Sequence, residues 1–127
     1  MRTRYCWKID EIADRIGNEQ EALVMAAMVE PTGVAYHAMF NRLQTWQPGA
    51  YVAIFGAGPI GLAAEALSVA AGASQIMMFD TSASRREIAH RLGATQVIDP
   101  TGVDLNQVLL DHTYGRGAPD GLGDGLG

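Results

Sequence analysis

The 127-residue sequence predicts an α/β fold, the first half of a doubly wound parallel sheet, incomplete and preceded by helices. Three observations predict it. Apolar residues recur at helical spacing before residue 44, and after Pro48-Gly49 the pattern changes to short apolar runs alternating with helix-like segments. The third observation is the glycine-rich sequence Gly56-Ala57-Gly58-Pro59-Ile60-Gly61, which stands where the first of those runs gives way to a helix.

In chain order, Ile9, Ile12, Ala13 and Ile16 before Gly17-Asn18, then Leu23, Val24, Ala27 and Met28, predict two short helices. Glu30-Pro31-Thr32 restarts a helix, because proline is tolerated in a first turn, and Val34, Ala35, Ala38, Met39 and Leu43 supply its buried stripe. Tyr51-Val52-Ala53-Ile54-Phe55 is a nearly continuous apolar run, expected of a strand buried on both faces. The alanine-rich segment 62–71 stops at Gly72 and reads as a helix with a glycine at its C-terminal end.

Gln75-Ile76-Met77-Met78-Phe79 is the second strand, and Ser82 or Ser84 caps a helix carrying Arg85, Ile88, Ala89 and Leu92, which Gly93 terminates. Gln96-Val97-Ile98 is a shorter third strand. Asp99-Pro100-Thr101-Gly102 turns the chain into a final helix with Leu105, Val108 and Leu109. Strands separated by helices imply crossover connections and parallel pairing. With three strands, the first lacks a neighbour on one side, an exposed apolar edge that allows homo-oligomeric association.

Composition narrows the function. A net charge of −5 with no basic stripe argues against a nucleic-acid partner. No apolar stretch approaches the roughly 20 residues of a bilayer span, and the charged N-terminus is followed by Asp10, Glu11 and Asp14 rather than an apolar leader core, so a cytoplasmic protein without membrane attachment is expected. The single cysteine, Cys6, excludes an internal disulfide and a thiolate cluster for structural zinc. The tail from Gly115 onward is glycine-rich and too poor in apolar residues to pack, and disorder is expected there.

The G-x-G-x-x-G sequence is weak evidence alone and strong in its context. It lies between a strand and a helix, and Asp80 stands 19 residues beyond Gly61 at the end of the next strand. Gly56 permits the tight turn, Gly58 lets backbone approach a pyrophosphate, and Gly61 lets helix and strand pack closely. The helix N-terminus, with Pro59 and Ile60, then faces the phosphates without needing a lysine, unlike an ATPase loop. Asp80 can accept both ribose hydroxyls of NAD and would repel the 2′-phosphate of NADP, so a Rossmann-like NAD site is expected. Arg85 is the candidate for flanking the adenosine; Arg86 is read as part of a solvated helix face.

With these motifs in hand, residues 5–118 resemble the medium-chain dehydrogenase family, in its zinc-dependent alcohol and polyol branch of sorbitol, threonine and cyclitol dehydrogenases. The resemblance is carried by Val29-Glu30-Pro31-Thr32-Gly33-Val34-Ala35-Tyr36-His37-Ala38, by Gln47-Pro48-Gly49, by residues 52–62, by Asp80 with Arg85, and by Leu92-Gly93-Ala94-Thr95-Gln96-Val97-Ile98-Asp99-Pro100. It implies hydride transfer between NAD and a secondary alcohol, polyol or cyclitol. It also implies that Glu30 lies beside a catalytic zinc whose other ligands, like the catalytic residues, belong to an earlier domain outside this sequence. From chemistry alone, Glu30 is equally a first-turn carboxylate beside a helix dipole. Seven residues separate it from His37, about 10 Å along one helix, too far to share an ion, so zinc is not expected to bind to this chain by itself. His37, His90 and His112 are read as structural or exposed.

The expected organisation is a helical segment, 1–49, linking to that catalytic domain, a partial NAD-binding domain, 50–114, and the tail, 115–127. After Ala118 the sequence departs abruptly from the family pattern, which suggests a truncated or frame-shifted end to a fragment inactive by itself. The alternative function is a noncatalytic nucleotide-binding module or a remnant without function.

Overall fold

The computed structural model describes residues 8–43 and 45–113. Cys6 and the tail 115–127 lie outside the described residues. Helices α1 (Asp10–Ile16), α2 (Glu19–Ala27) and α3 (Val29–Tyr36) come first, and α3 runs on into a π-helical segment, His37–Arg42. Gly17, at φ +70°, ends α1 by donating its N–H to the Ala13 carbonyl, and Asn18 begins α2 by accepting the Glu21 N–H at 3.2 Å. Pro31 falls in the first turn of α3, where its missing N–H has no intrahelical acceptor in any case.

Strands β1 (Tyr51–Phe55), β2 (Gln75–Phe79) and β3 (Gln96–Ile98) alternate with α4 (Pro59–Ala70), α5 (Ala83–Leu92) and α6 (Leu105–His112). The sheet is parallel, in the order β1-β2-β3, with Tyr51 opposite Gln75 and Met77 opposite Gln96. Each parallel neighbour is reached through a helix, as parallel pairing requires. Ile54, Ala57, Ile76, Met78, Ala89 and Ala94 form the core, with Val52, Leu62 and Val97 packed around it.

Two sequence expectations need correction. The strand buried on both faces is β2, whose Ile76, Met77, Met78 and Phe79 are all at most 2% exposed; in β1 only Ile54 is buried, and Tyr51 and Phe55 are exposed. The reason is topological, because β1 is an edge strand among the described residues, paired only with β2. The stripe expected of α3 and its continuation is buried only at Ala35 and Met39, while Val34 and Leu43 are exposed, because α3 packs on α4 and the described residues leave its other side uncovered. Likewise Ala22 is the buried residue of α2, while Leu23, Val24 and Met28 face outward.

The junction between helices and sheet is fixed by ring packing and hydrogen bonds. Phe40 lies 5.0 Å from Tyr36 and 5.4 Å from Trp46, and the Trp46 indole N–H donates to the Ala71 carbonyl. Gly72, at φ +78°, follows α4 as expected. The Thr95 hydroxyl accepts the Ile76 N–H and donates to the Ile76 carbonyl, fastening the start of β3 to β2.

Candidate functional site

The C-terminal ends of β1 and β2 meet at the glycine-rich turn, and the end of β3 is tied to that of β2 by the Asp80 N–H donating to the Ile98 carbonyl. Gly56 follows β1 at φ +99°, a conformation that side chains disfavour, and its N–H donates to the Phe79 carbonyl at 2.7 Å. A Cβ on Gly61 would lie 1.8 Å from the Gly56 carbonyl oxygen, a backbone atom that cannot rotate away, so the approach of α4 to β1 depends on glycine there. Gly58 differs. Its φ is −80°, and a Cβ there would meet nothing within 4 Å. Internal packing makes no demand for glycine at Gly58, and the space beside its backbone is open.

Gly58 is the N-cap of α4 and Pro59 its first residue. The N–H groups of Ile60 and Gly61 fall in a first turn that has no intrahelical acceptors for them, at the positive end of a 12-residue helix. Ile60 is half exposed.

Asp80 is 8% exposed and touches this turn directly: Oδ2 accepts the Ala57 N–H at 2.8 Å and Oδ1 accepts the Ser82 N–H at 2.7 Å. Those two bonds, Ser82 first, hold its carboxyl below the usual carboxylate range, with Arg85 and Arg86 adding to the effect against partial desolvation. Each carboxylate oxygen has two acceptor sites, so each keeps acceptor capacity beyond the bond it makes here. Ser82 does occupy the N-cap of α5, but its hydroxyl makes no capping bond and pairs with the Ser84 hydroxyl instead; the Ser82 N–H is satisfied by Asp80.

The two arginines divide. Arg85 is 59% exposed with its guanidinium 3.9 Å from Asp80 Oδ2, open to a ligand. Arg86 is not on a solvated face as its sequence position suggested: its side chain is 20% exposed and donates to the Asp80 carbonyl at 2.6 Å and to Asp99 Oδ2 at 3.1 Å. Asp99 itself is held below the carboxylate range chiefly by Thr101, with Arg86 contributing.

Sequence reasoning passed over Glu65. This α4 residue is fully buried; Oε1 accepts the Ala94 N–H at 2.8 Å while Oε2 has no partner, and desolvation raises its pKa against that bond. Its signal was present as a lone carboxylate in an alanine-rich helix. Glu30 is exposed in the first turn of α3, His37 bonds with Asn41, and among the described residues no group of three or more His, Cys, Asp or Glu could hold a metal ion.

A glycine-rich βα turn joined to a carboxylate at the end of the next parallel strand defines the nucleotide-site half of a doubly wound protein. The family model for zinc-binding dehydrogenases matches residues 59–121. The chain is 41% identical over 115 residues to the scyllo-inosose 3-dehydrogenase of Thermotoga maritima and 36% identical over 111 residues to the L-threonine 3-dehydrogenase of Caldanaerobacter subterraneus. Those matches cover 91% and 87% of this chain but 29% and 31% of the relatives. A solved alcohol dehydrogenase structure from Thermotoga maritima superposes with a TM-score of 0.80 at 39% identity, over 92% of this chain and 29% of that one. The alcohol dehydrogenase of Aeropyrum pernix gives 0.67 at 34% identity, over 78% and 29%. The chain belongs to the zinc-binding dehydrogenase family, and spans about 30% of the length of the relatives it matches.

Proposed function

We propose that this chain is the NAD-binding portion of a zinc-dependent dehydrogenase that oxidises a secondary alcohol, polyol or cyclitol. The observation that carries the reading is the Asp80 carboxylate bonded to the glycine-rich turn, with acceptor sites left over and an open backbone at Gly58 beside it. Two of the relatives above are named for scyllo-inosose and L-threonine, which favours polar, hydroxylated substrates.

In this reading the turn at Gly56, Gly58 and Gly61 and the first turn of α4, with Pro59 and Ile60, bind the pyrophosphate through backbone N–H groups and the helix dipole. Asp80 accepts the adenosine ribose hydroxyls and disfavours a 2′-phosphate, and Arg85 flanks the adenosine. NAD, when bound, supplies the hydride acceptor; the protein's part is to hold it and orient it. Glu30 fits a zinc site only in company, since zinc takes four ligands and the described residues give Glu30 no such set. The resemblance of Val29-Glu30-Pro31-Thr32 to the family supports an accessory place for Glu30 beside zinc held by other ligands, with 1–49 as the junction to them and 50–114 as the nucleotide-binding domain.

Calorimetric titration of NAD into the chain tests the reading. Saturable binding is expected, weakened about tenfold or more by Asp80→Ala, because bonds to a charged acceptor are worth about 1.5–3 kcal/mol. A folded chain that gives no binding heat, or an Asp80→Ala variant that binds equally well, contradicts it.

A further inference from the structure

We propose that Arg86 is a positioning residue for Asp80, bonding at once to the Asp80 carbonyl and the Asp99 carboxylate and so holding the Asp80 carboxylate in its ligand-facing orientation. The inference rests on the nucleotide-binding reading of this site.

Every polar group of Asp80 is tied. Its N–H donates to the Ile98 carbonyl at 3.1 Å, its carbonyl accepts from Arg86 at 2.6 Å, and its carboxylate accepts from Ala57 and Ser82. The Ile98 and Arg86 bonds fix the backbone on either side of the Asp80 Cα, and the direction of the carboxylate follows from that backbone. Arg86 suits the task because a guanidinium is planar and permanently charged, and serves two acceptors from one rigid head. Here those acceptors are the residues just past β2 and just past β3, so the side chain braces two strand ends. Among the described residues the neighbouring Arg85 makes only the 3.9 Å contact, and it is largely exposed. Arg85 is thus available to a ligand, while Arg86 is committed to the protein.

The role separates from general stabilisation by its dependence on the ribose. Affinity would be measured for NAD and for an NAD analogue lacking the 2′ and 3′ hydroxyls of the adenosine ribose, in the unaltered chain and in Arg86→Met. The substitution is expected to weaken NAD about three- to tenfold, as for contacting residues in one network, and the analogue less than about twofold. Equal losses for both ligands, or none for either, overturn the proposal. Asp99→Asn, which removes the charge from the brace at a half-exposed position, is the second variant, and decides the matter in the same way should Arg86→Met not fold. If the unaltered chain binds neither ligand, the nucleotide reading fails separately, and amide hydrogen exchange in the ligand-free chain decides the brace. Faster exchange at Ser82 and Ala57 in the variant, with Ala89 unchanged, supports it, and unchanged exchange at Ser82 and Ala57 overturns it.

Discussion

Gly58 and Gly61 stand three residues apart in different surroundings. At Gly61 a methyl group would meet the Gly56 carbonyl oxygen at 1.8 Å, so Gly61→Ala is expected to destabilise the fold by at least ~2 kcal/mol, measured by urea denaturation. At Gly58 the same methyl meets nothing, so Gly58→Ala should leave stability within about 0.5 kcal/mol while weakening NAD binding about tenfold. Equal effects of the two substitutions on stability would contradict this division. Glu65 gives a pH-dependent expectation. Its folded-state pKa is raised by desolvation, so the folded chain keeps a proton that the unfolded chain has already released. Stability contributed by Glu65 is therefore present below the unfolded value of about 4.3 and is lost as pH rises toward the folded value. Glu65→Gln should gain on the parent chain across that window and keep its gain above it; parallel pH–stability curves would show that Glu65 does not titrate on unfolding. Gly56, Gly61 and Asp80 were legible because a tight turn and close helix–strand packing call for glycine, and because the carboxylate stands at a fixed spacing beyond the turn, at the end of the next strand. Arg86 and Glu65 were not, because their roles depend on Asp99 and Ala94, partners that only the fold brings near.

Among the elements, order and type could be read from periodicity and punctuation, but burial could not. Five apolar residues in a row mean a buried strand only if both faces and both edges are covered, and β1 has its second edge open among the described residues, whereas β2 is flanked on both sides. The helices before the sheet show the same gap: their apolar spacing was visible, but Leu23, Val24 and Val34 are exposed, since a repeat does not reveal which neighbour covers it. The caps are local but were only partly legible: Gly93 ends α5 as expected, whereas the Ser82 hydroxyl makes no capping bond and Asp104 was not singled out. Asp104 accepts the N–H groups of Asn106 and Gln107 at the start of α6, and Asp104→Ala is expected to cost about 1 kcal/mol in chemical denaturation. No change would mean that another group satisfies that turn.

At the scale of the whole molecule, the bonds that shape the site also set its response to acid. Asp80 and Asp99 both have lowered folded-state pKa values, so the stability they contribute is present above the unfolded value of about 3.9 and is lost as pH falls through the folded ones. Among the described residues, a competing position for a ligand is a polar cleft of about 390 Å³ lined by Tyr51, Ser74, Gln75, Asp111 and His112. Tyr51 and Gln75 begin β1 and β2, so the cleft lies at the N-terminal ends of the strands, opposite to where doubly wound sheets bind nucleotides. A backbone-amide NMR titration with NAD distinguishes the two ends most directly. We expect saturable shifts at Ala57, Gly58, Ile60, Gly61 and Ser82, with the amides of Ser74, Gln75 and His112 unmoved; shifts confined to the second group, or none at all in the folded chain, would contradict an NAD site at the glycine-rich turn.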